Sequence, residues 1–224
     1  MREAIAAAFE RVGFALDDGQ VAAFAEYAAL LEKWNARMNL TSVRDPNEYL
    51  DAHFIDSALV LRHVDIAHGA RVADIGSGAG FPGAPIAILR PDLHITLFES
   101  AARKASFLHA LKSTLRLDRL AVCCERVDPG AVPDRWTHAF HGVVSRYTAS
   151  VEWVAQCAQA MTAPDGWCAV HKYDDADERD ALSRVGRWAG VAAVRWASDA
   201  AAASRRRFAC VEFRGSAAAA ATGA

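Results

Sequence analysis

Residues 71–83 read Arg-Val-Ala-Asp-Ile-Gly-Ser-Gly-Ala-Gly-Phe-Pro-Gly, and this stretch decides the fold. Its first five residues are mostly apolar and bounded by glycines, which predicts a short buried strand. Gly76, Gly78 and Gly80 then predict a loop whose backbone can approach a ligand closely. A proline and the apolar residues 84–89 follow, and they predict a helix whose start offers free N–H groups. Strand, glycine loop and helix together form the first unit of a nucleotide-binding fold.

The spacing of the three glycines distinguishes between cofactors. A dinucleotide-binding fold uses G-x-G-x-x-G and holds a pyrophosphate at the helix N-terminus. Here the third glycine comes one residue early, and Asp74 lies two residues before the first. This pattern resembles motif I of class I S-adenosylmethionine (SAM) methyltransferases, which implies SAM as the cofactor and S-adenosylhomocysteine as its product. Glu99 ends the next predicted strand, where an acid can accept hydrogen bonds from both ribose hydroxyls.

Strands and helices alternate from residue 70 onward. The predicted strands cover residues 71–75, 95–99, 120–124, 139–145, 167–172, 191–196 and 207–213. The predicted helices between them lie near residues 84–89, 102–116, 150–162 and 177–189. This alternation predicts an α/β, Rossmann-like class I methyltransferase fold with a mainly parallel seven-stranded sheet and helices on both faces. Ligands bind at the carboxyl ends of such strands, so residues that follow the strands are expected to line one crevice.

Residues 2–63 are predicted to be helical. Asp17 or Asp18 can cap an amphipathic helix, and residues 34–44 break its period, which predicts a loop. We therefore divide the chain into an N-terminal helical extension over residues 1–66, a SAM-dependent methyltransferase domain over residues 67–214 and a disordered tail over residues 215–224.

Several polar residues follow the predicted loop. Residues 45–48 fit a capping box that starts another helix. His53, Asp56 and Ser57 lie on this helix or the next, close enough in sequence to share a face. Hydrogen bonding within a helical cap is the favoured interpretation of each.

Composition limits the class of protein. With 224 residues, of which 53% are hydrophobic, the chain can bury a sizeable core as one domain or as a domain with a small appendage. It shows no signal peptide and no apolar run long enough to cross a bilayer. Its five cysteines have no C-x-x-C or metal-ligand spacing. We therefore expect a cytoplasmic protein from a reducing compartment, with no membrane partner and no bound metal.

Charge is informative only locally. The net charge of −2 gives no overall signature of nucleic-acid binding. Residues 103–126, however, hold six Lys or Arg against two acids, and residues 184–214 hold seven Arg against two acids. Solvated helix faces and termini explain such regions most often, and contact with RNA phosphates is the alternative.

Motifs along most of the chain resemble those of one family. They lie at residues 34–46, His53-x-x-Asp56-Ser57, residues 76–83, 99–108, 126–128 and 145–146. From about residue 20 to residue 213, the chain resembles the bacterial small-subunit rRNA methyltransferase G family, also called glucose-inhibited division protein B. The stretch Asn-Leu-Thr-Ser-Val-Arg at residues 39–44 separates this family from other SAM enzymes.

The resemblance implies transfer of a methyl group from SAM to N7 of a guanine in the 530 loop of 16S rRNA, guanine 527 in the family. The implied partner is 16S rRNA or the 30S subunit, and we expect a monomer. Guanine N7 has an in-plane lone pair and no proton to lose. The protein must therefore position the reactants and exclude water, and we predict no catalytic residue that acts as a general base.

Two sets of site residues are predicted from the motifs and from the resemblance. The cofactor-binding set comprises Asp74, Gly76, Gly78, Phe81, Glu99, Val127, Asp128 and Arg146. The RNA-binding set comprises Arg103, Lys104, Arg126, Tyr147, Lys172, Arg206 and Arg207. In the second set the cations are expected to contact phosphates, and Tyr147 is expected to stack on a base.

The chain departs from the family pattern at several positions. Residues 145–150 read Ser-Arg-Tyr-Thr-Ala-Ser where the family usually has Ser-Arg-Ala-Phe-Ala-Ser, and His-Lys-Tyr at residues 171–173 replaces Leu-Lys-Gly. Asp-Pro at residues 128–129 replaces two acids, and Glu99 is commonly aspartate. The shifted aromatic residue affects the expected pocket for the target base, whereas motif I is intact.

Other functions remain open on the residues alone. One is a SAM-dependent methyltransferase that acts on a small molecule or a protein. Another is a non-catalytic RNA-binding module on the same fold. A nicotinamide-dependent oxidoreductase is a third, which the early third glycine disfavours.

Overall fold

A computed structural model describes residues 1–41, 43, 48–199 and 206–215. Its strands are β1 (Arg71–Ile75), β2 (His94–Phe98), β3 (Leu120–Cys123), β4 (Phe140–Arg146), β5 (Thr162–Tyr173), β6 (Val191–Ala197) and β7 (Arg206–Phe213). They form one sheet in the order β3-β2-β1-β4-β5-β7-β6. The pairs among β1 to β5 are parallel, and β7 runs antiparallel to both β5 and β6. The predicted mainly parallel, seven-stranded α/β sheet is confirmed.

The helices flank this sheet and precede it. They are α1 (Arg2–Arg11), α2 (Asp18–Met38), α3 (Asp56–Ala58), α4 (Gly83–Leu89), α5 (Ala102–Leu115), α6 (Val151–Met161) and α7 (Ala176–Val185). A π-helical turn (Leu50–Ile55) precedes α3, a 3-10 turn (Leu59–Arg62) follows it, and another 3-10 turn covers Asp134–Trp136. Helix α7 ends four residues earlier than predicted, because its backbone turns at Gly186 into the short loop before β6.

The ends of α2 show how local chemistry sets the N-terminal extension. Asp17 is the cap: its carboxylate accepts from the Gln20 N–H at 2.7 Å, while the Gln20 side chain accepts from the Asp17 N–H at 3.1 Å. The loop predicted from residue 34 is wrong over residues 34–38, which continue the helix. The helix extends because Asn35 is buried and uses its amide group to hold the chain that follows. The capping box predicted at residues 45–48 lies mostly outside the described residues.

Two hydrophobic cores cover the two faces of the sheet. The N-terminal helices, α4 and α5 form one core, and α6 and α7 form the other. Within the first core, the Tyr27 ring packs 5.1 Å from Phe54 and 5.4 Å from Phe81. The extension therefore shares its core with the sheet domain, and the boundary drawn at residue 66 stays a prediction. Residues 216–224 of the predicted tail lie outside the described residues.

The strand order reverses between β1 and β4. The chain leaves β1 toward β2 on one side, and β4 lies on the other side of β1. Side chains and loops at the carboxyl ends of these two strands diverge at such a point, which is where open α/β sheets bind ligands. Within the described residues, no helix is both long and apolar enough to cross a bilayer.

Candidate active site

A cleft of about 630 Å³ opens at the carboxyl ends of β1 to β4. Six of the eight predicted cofactor residues line it, namely Gly76, Gly78, Phe81, Glu99, Val127 and Arg146. Three of the predicted RNA-binding residues, Lys104, Arg126 and Tyr147, line the same cleft. The sheet therefore brings together residues that are up to 71 positions apart in the sequence, as expected for loops that end neighbouring parallel strands.

The glycine loop after β1 adopts a conformation that suits glycine. Gly76 and Gly78 have φ of 74° and 58°. A Cβ atom built on Gly76 would lie 2.3 Å from Thr148 Cγ2, so this position must be glycine because of a neighbouring side chain. A Cβ atom on Gly78 would meet only the Gly76 carbonyl, at 3.9 Å. Gly78 therefore leaves open space beside its backbone, where a ligand can approach.

Asp74 lies beneath the glycine loop and does not line the cleft. Its Oδ2 accepts a hydrogen bond from the Gly83 N–H at 2.9 Å, which fixes the first residue of α4 to the end of β1. Its Oδ1 is buried and has no hydrogen-bond partner within the described part of the chain. Burial raises the pKa of this carboxyl group to about 7. Asp74 therefore does not border the cleft, in contrast to its predicted place in the cofactor set, and it supports the glycine loop from beneath.

Glu99 joins three segments at the floor of the cleft. Its Oε2 accepts from the Gly78 N–H at 2.9 Å, and its Oε1 accepts from the Ala101 N–H at 2.8 Å. The carboxylate is only 7% exposed, yet it borders the cleft. Each carboxylate oxygen has a second lone pair, so both can still accept from a ligand hydroxyl. Glu99 thus orders the glycine loop and keeps the acceptor capacity that was predicted for it.

Asp128 is displaced from its predicted role. Its side chain is exposed and accepts from the Gly130 N–H at 2.9 Å, which closes a turn outside the cleft lining. The neighbouring Val127 is 7% exposed and faces the cleft. Because Pro129 follows, the backbone turns here and directs only Val127 toward the site. The prediction that Asp128 binds the cofactor is therefore corrected.

Tyr27 is a buried residue that supports the site and that sequence reasoning missed. Its hydroxyl donates to the Ala79 carbonyl of the glycine loop at 2.5 Å, and its ring stacks on Phe81 at an interplanar angle of 10°. In the sequence it is one of several apolar residues along α2. No local signal reveals the contact, because 52 residues separate Tyr27 from Ala79.

Arg146 connects the end of β4 to the helical turns of the N-terminal extension. Its Nε lies 2.9 Å from Asp56 Oδ2, and both side chains are largely buried, at 8% and 1% exposure. Its Nη2 donates to the Ala52 carbonyl, and its Nη1 lies 3.2 Å from His53 Nδ1. His53 Nδ1 also lies 3.0 Å from the Ala52 carbonyl, and its Nε2 lies 2.7 Å from Thr41 Oγ1.

This network overturns the interpretation of His53 and Asp56 as residues of a helical cap. Both contact Arg146, which lies 90 or more positions along the chain. His53 and Thr41 also line the cleft. Ser57 is fully buried, and its hydroxyl has no hydrogen-bond partner among the described residues. The N-terminal extension therefore supplies part of the wall of the site.

The remaining predicted RNA-binding residues have different surroundings. Arg103 is exposed in the first turn of α5, outside the cleft lining. Lys172 is 8% exposed, donates to the Ala149 carbonyl and forms an ion pair with Glu178 at 2.5 Å. A buried and paired ammonium cannot reach a phosphate, so the RNA-binding prediction for Lys172 is corrected to a structural role.

The two arginines at the start of β7 lie at the same edge of the sheet as the cleft. Arg207 is opposite Lys172 in the β5–β7 register, and its Nε forms an ion pair with Asp174 Oδ2 at 3.3 Å. Arg206 is opposite Tyr173, and its side chain lies outside the described residues. Their contact with RNA stays a prediction.

Two residues that depart from the family pattern, Thr148 and His171, lie near Arg146. Thr148 Oγ1 donates to the Gly76 carbonyl at 3.2 Å. His171 is buried, with Nε2 3.1 Å from the Asp56 carbonyl and Nδ1 3.4 Å from the Ser145 carbonyl. Burial lowers the pKa of His171 to about 4, against the opposing effect of the Asp56 carboxylate. The imidazole is therefore neutral near pH 7. It contacts the carbonyl groups of Ser145 and Asp56, which are next to Arg146 in the sequence and paired with it in space, respectively.

The residues at the cleft fit SAM. The open space at Gly78 accommodates a ligand against the backbone, and Glu99 presents a carboxylate for hydroxyl groups. Apolar surface for a ring comes from Phe81, Phe98 and Val127. These groups lie within a cavity large enough for a nucleoside with an amino-acid end.

Comparisons with known proteins give similar sequences and similar folds. The model of the GidB family, rRNA small subunit methyltransferase G, matches residues 20–196. The chain is 37% identical over 176 residues to ribosomal RNA small subunit methyltransferase G of Klebsiella pneumoniae, covering 77% of this chain and 81% of that protein. It is 38% identical over 179 residues to the protein of the same name from Burkholderia ambifaria, with coverage of 76% and 77%. A SAM-dependent methyltransferase from Aquifex aeolicus shares the fold, with a TM-score of 0.57 at 13% identity, over 78% of this chain and 97% of that one.

Proposed function

Because this chain belongs to the GidB family of small-subunit rRNA methyltransferases G, we propose that it methylates N7 of a guanine in the 530 loop of 16S rRNA. It is a SAM-dependent rRNA methyltransferase that acts on 16S rRNA. We propose N7 as the acceptor atom and the nucleotide that corresponds to guanine 527 of the family as the target.

One observation carries this proposal. Thr41 belongs to the stretch at residues 39–44 that distinguishes the family, His53 belongs to a second motif of the resemblance, and both line the cleft that also contains motif I. A general SAM-binding domain needs only the glycine loop and the acid after β2. Here a second set of residues closes the opposite wall, where an acceptor base must lie. This arrangement supports an acceptor specific to the family.

The chain's own residues position the reactants. SAM supplies an electrophilic methyl group on a sulfonium. When SAM is bound, the Glu99 carboxylate would accept from its ribose hydroxyls, and Phe81 and Val127 would pack against its apolar surface. On the opposite side, Asp56 and His53 fix Arg146 at the end of β4. No residue needs to remove a proton from guanine N7, so a rigid site that excludes water is sufficient for transfer.

The RNA partner is proposed to lie across the open side of the cleft. Lys104 and Arg126 line the cleft, Arg103 lies exposed in the first turn of α5, and Arg206 and Arg207 begin β7 at the same edge of the sheet. Such cations can contact phosphates on both sides of an exposed base. We further propose a cytoplasmic monomer that acts on 16S rRNA or on the 30S particle.

Transfer of a tritiated methyl group from SAM tests the proposal. The substrates are deproteinised 16S rRNA, 30S particles and 70S ribosomes from cells that lack this modification, followed by nucleoside analysis. We expect label in 7-methylguanosine from one of these substrates, and a Glu99→Ala variant that transfers far less. SAM binding without label in any rRNA would point to another substrate. Failure to bind SAM would point to a non-catalytic RNA-binding module, and label on another guanine atom would overturn the proposed acceptor.

A further inference from the structure

Tyr173 is an exposed aromatic residue at the carboxyl end of β5. Its side chain is 54% exposed, and only Met1 matches it among the large hydrophobic residues that the structure describes. A tyrosine in a strand of this sheet could have turned into one of the two cores. Instead it lies at the edge where the strands open toward the cleft, and its exposure therefore needs an explanation.

Tyr173 is the outer end of a stack that begins in the cleft. Its ring centroid lies 4.8 Å from that of Tyr147, at an interplanar angle of 22°. The Arg146 guanidinium lies 5.4 Å from the centre of the Tyr147 ring and 5.5 Å from that of Phe81. Phe81, Arg146 and Tyr147 all line the cleft. Planar groups thus run from the glycine loop to the protein surface.

The stack is held in place from its inner end. The Tyr147 backbone has φ of 52°, a conformation unusual for tyrosine, and its N–H donates to the His171 carbonyl at 3.3 Å. Arg146 is anchored by Asp56. Because Tyr147 is half-buried and already stacks on Tyr173, the accessible ring face belongs to Tyr173. This replaces the earlier expectation that Tyr147 itself stacks on a base.

Basic residues are opposite the end of β5 in the sheet. In the β5–β7 register Tyr173 is opposite Arg206, and the next pair joins Lys172 to Arg207, whose charges are shared with Glu178 and Asp174. On the cleft side, Lys104 and Arg126 are available. Proteins that bind single-stranded RNA combine an aromatic face for a base with cations for the adjoining phosphates.

We propose that Tyr173 stacks on an unpaired nucleobase of the rRNA substrate that neighbours the methylated guanine. The inference rests on the rRNA activity proposed above and adds a substrate-binding residue at the rim. The target base occupies the cleft, and the neighbouring base extends the stack of Phe81, Arg146, Tyr147 and Tyr173 outward. Tyr173 is a positioning residue for RNA and does not touch the cofactor.

Methylation kinetics on 16S rRNA and on 30S particles test the inference with three variants. Tyr173→Ala removes the ring, Tyr173→Leu keeps apolar area without a flat aromatic face, and Tyr173→Phe keeps the ring. For the alanine variant we expect KM for RNA to rise about 5- to 100-fold, the range for loss of one base-stacking aromatic. The leucine variant should stay impaired, and the phenylalanine variant should restore KM to within about twofold.

Further readouts separate stacking from a structural role. SAM affinity by calorimetry and the thermal midpoint of the alanine variant should match the wild type. The dependence of RNA binding on salt should keep its slope, since stacking neutralises no phosphate. A fall in SAM affinity, or rescue by leucine as good as by phenylalanine, would assign Tyr173 a packing role and overturn the inference.

The outcomes also separate this inference from the proposed function. A wild-type enzyme that leaves every rRNA substrate unlabelled overturns both. An active wild type with an unchanged KM in the alanine variant overturns the inference alone. An effect seen with 30S particles but absent with naked rRNA that the wild type methylates would assign the ring to a ribosomal protein, which also contradicts base stacking.

Discussion

The two ends of the cleft are built in different ways. At the cofactor end, the Glu99 carboxylate accepts from the backbone amides of Gly78 and Ala101, and the Gly83 amide donates to Asp74 at the end of β1. At the rim, Arg146 and Tyr147 are held by side chains from distant segments, chiefly Asp56 and Tyr173. The first end therefore depends mainly on backbone hydrogen bonds, with Tyr27 as its contact from the N-terminal extension, whereas the second depends on contacts between side chains of distant segments.

Asp56→Ala is the strongest test of this difference. Removing Asp56 leaves the Arg146 guanidinium, 8% exposed, without its carboxylate. Loss of one partner of a buried ion pair typically costs 3–5 kcal/mol, so we expect about that decrease in the free energy of unfolding, measured with urea. As a matched control, Glu152→Ala breaks a largely exposed pair with Arg184 and should cost no more than about 1 kcal/mol. Equal costs for both variants would show that Asp56 does not stabilise the rim.

Glu99→Gln tests the cofactor end. Both carboxylate oxygens accept from backbone amides, and a glutamine offers one acceptor oxygen and one NH₂ group that faces an N–H. We expect SAM to bind more weakly by roughly 1–3 kcal/mol, measured by calorimetry, and the free energy of unfolding to fall as well, because one backbone N–H loses its acceptor. The loss should shrink for a 2′-deoxyribose or 3′-deoxyribose analogue of SAM. Wild-type affinity in the variant would remove Glu99 from the cofactor site.

The two ends should respond in opposite directions to pH. At the rim, the pKa of His171 falls from 6.5 to about 4, so the unfolded chain binds a proton in this window that the folded chain does not. Stability from His171 is present above pH 6.5 and is lost as the pH falls toward 4. At the cofactor end, the pKa of Asp74 rises from 3.8 to about 7. Stability from Asp74 is present below pH 4 and is lost as the pH rises toward 7.

His171→Leu and Asp74→Asn separate these contributions. As the pH rises from 4.5 to 6.5, the stability of His171→Leu should fall progressively relative to that of the wild type, by up to about 1.4 kcal/mol per pH unit. Over the same rise in pH, the stability of Asp74→Asn should increase progressively relative to that of the wild type, again by up to about 1.4 kcal/mol per pH unit. Urea unfolding at three pH values, without SAM, measures both. Parallel curves for a variant and the wild type would contradict the corresponding assignment.

Arg207→Ala is expected to have the smallest effect. Each neutralised phosphate contributes roughly 0.7–0.9 to the slope of log affinity against log salt. Arg207 shares its charge with Asp174, so we expect the RNA-binding slope to fall by less than that full amount. Filter binding over a salt series measures it. Arg187→Ala removes an exposed charge after α7, away from the cleft, and should leave the slope unchanged. An equal change of slope in both variants would show that the effect of Arg207 comes from the net charge of the protein and not from contact with a phosphate.

Much of the fold was predictable because its signals are local. Arg71–Ile75 is apolar throughout most of its length and bounded by glycines, and the predicted strand has the observed ends. The mistakes occur where tertiary contacts decide. Residues 34–38 continue α2 because the buried Asn35 amide binds Thr41 and Val43, and the period of apolar residues carries no information about that bond. From the sequence, Lys172 was predicted to contact RNA phosphates, but in the structure it is buried and paired with Glu178.

The sequence by itself determined the sheet, the glycine loop, the acid after β2 and the family. These features depend on backbone conformation and on residues near each other along the chain, so a short motif specifies them. The tertiary structure alone decided that Tyr27 holds the loop, that Asp56 and His53 fix Arg146, and that Tyr173 rather than Tyr147 presents the open ring. Each of these contacts joins segments at least 26 positions apart. Such pairs form because folding the sheet brings strand ends and the N-terminal helices to one edge, and no local pattern encodes that proximity.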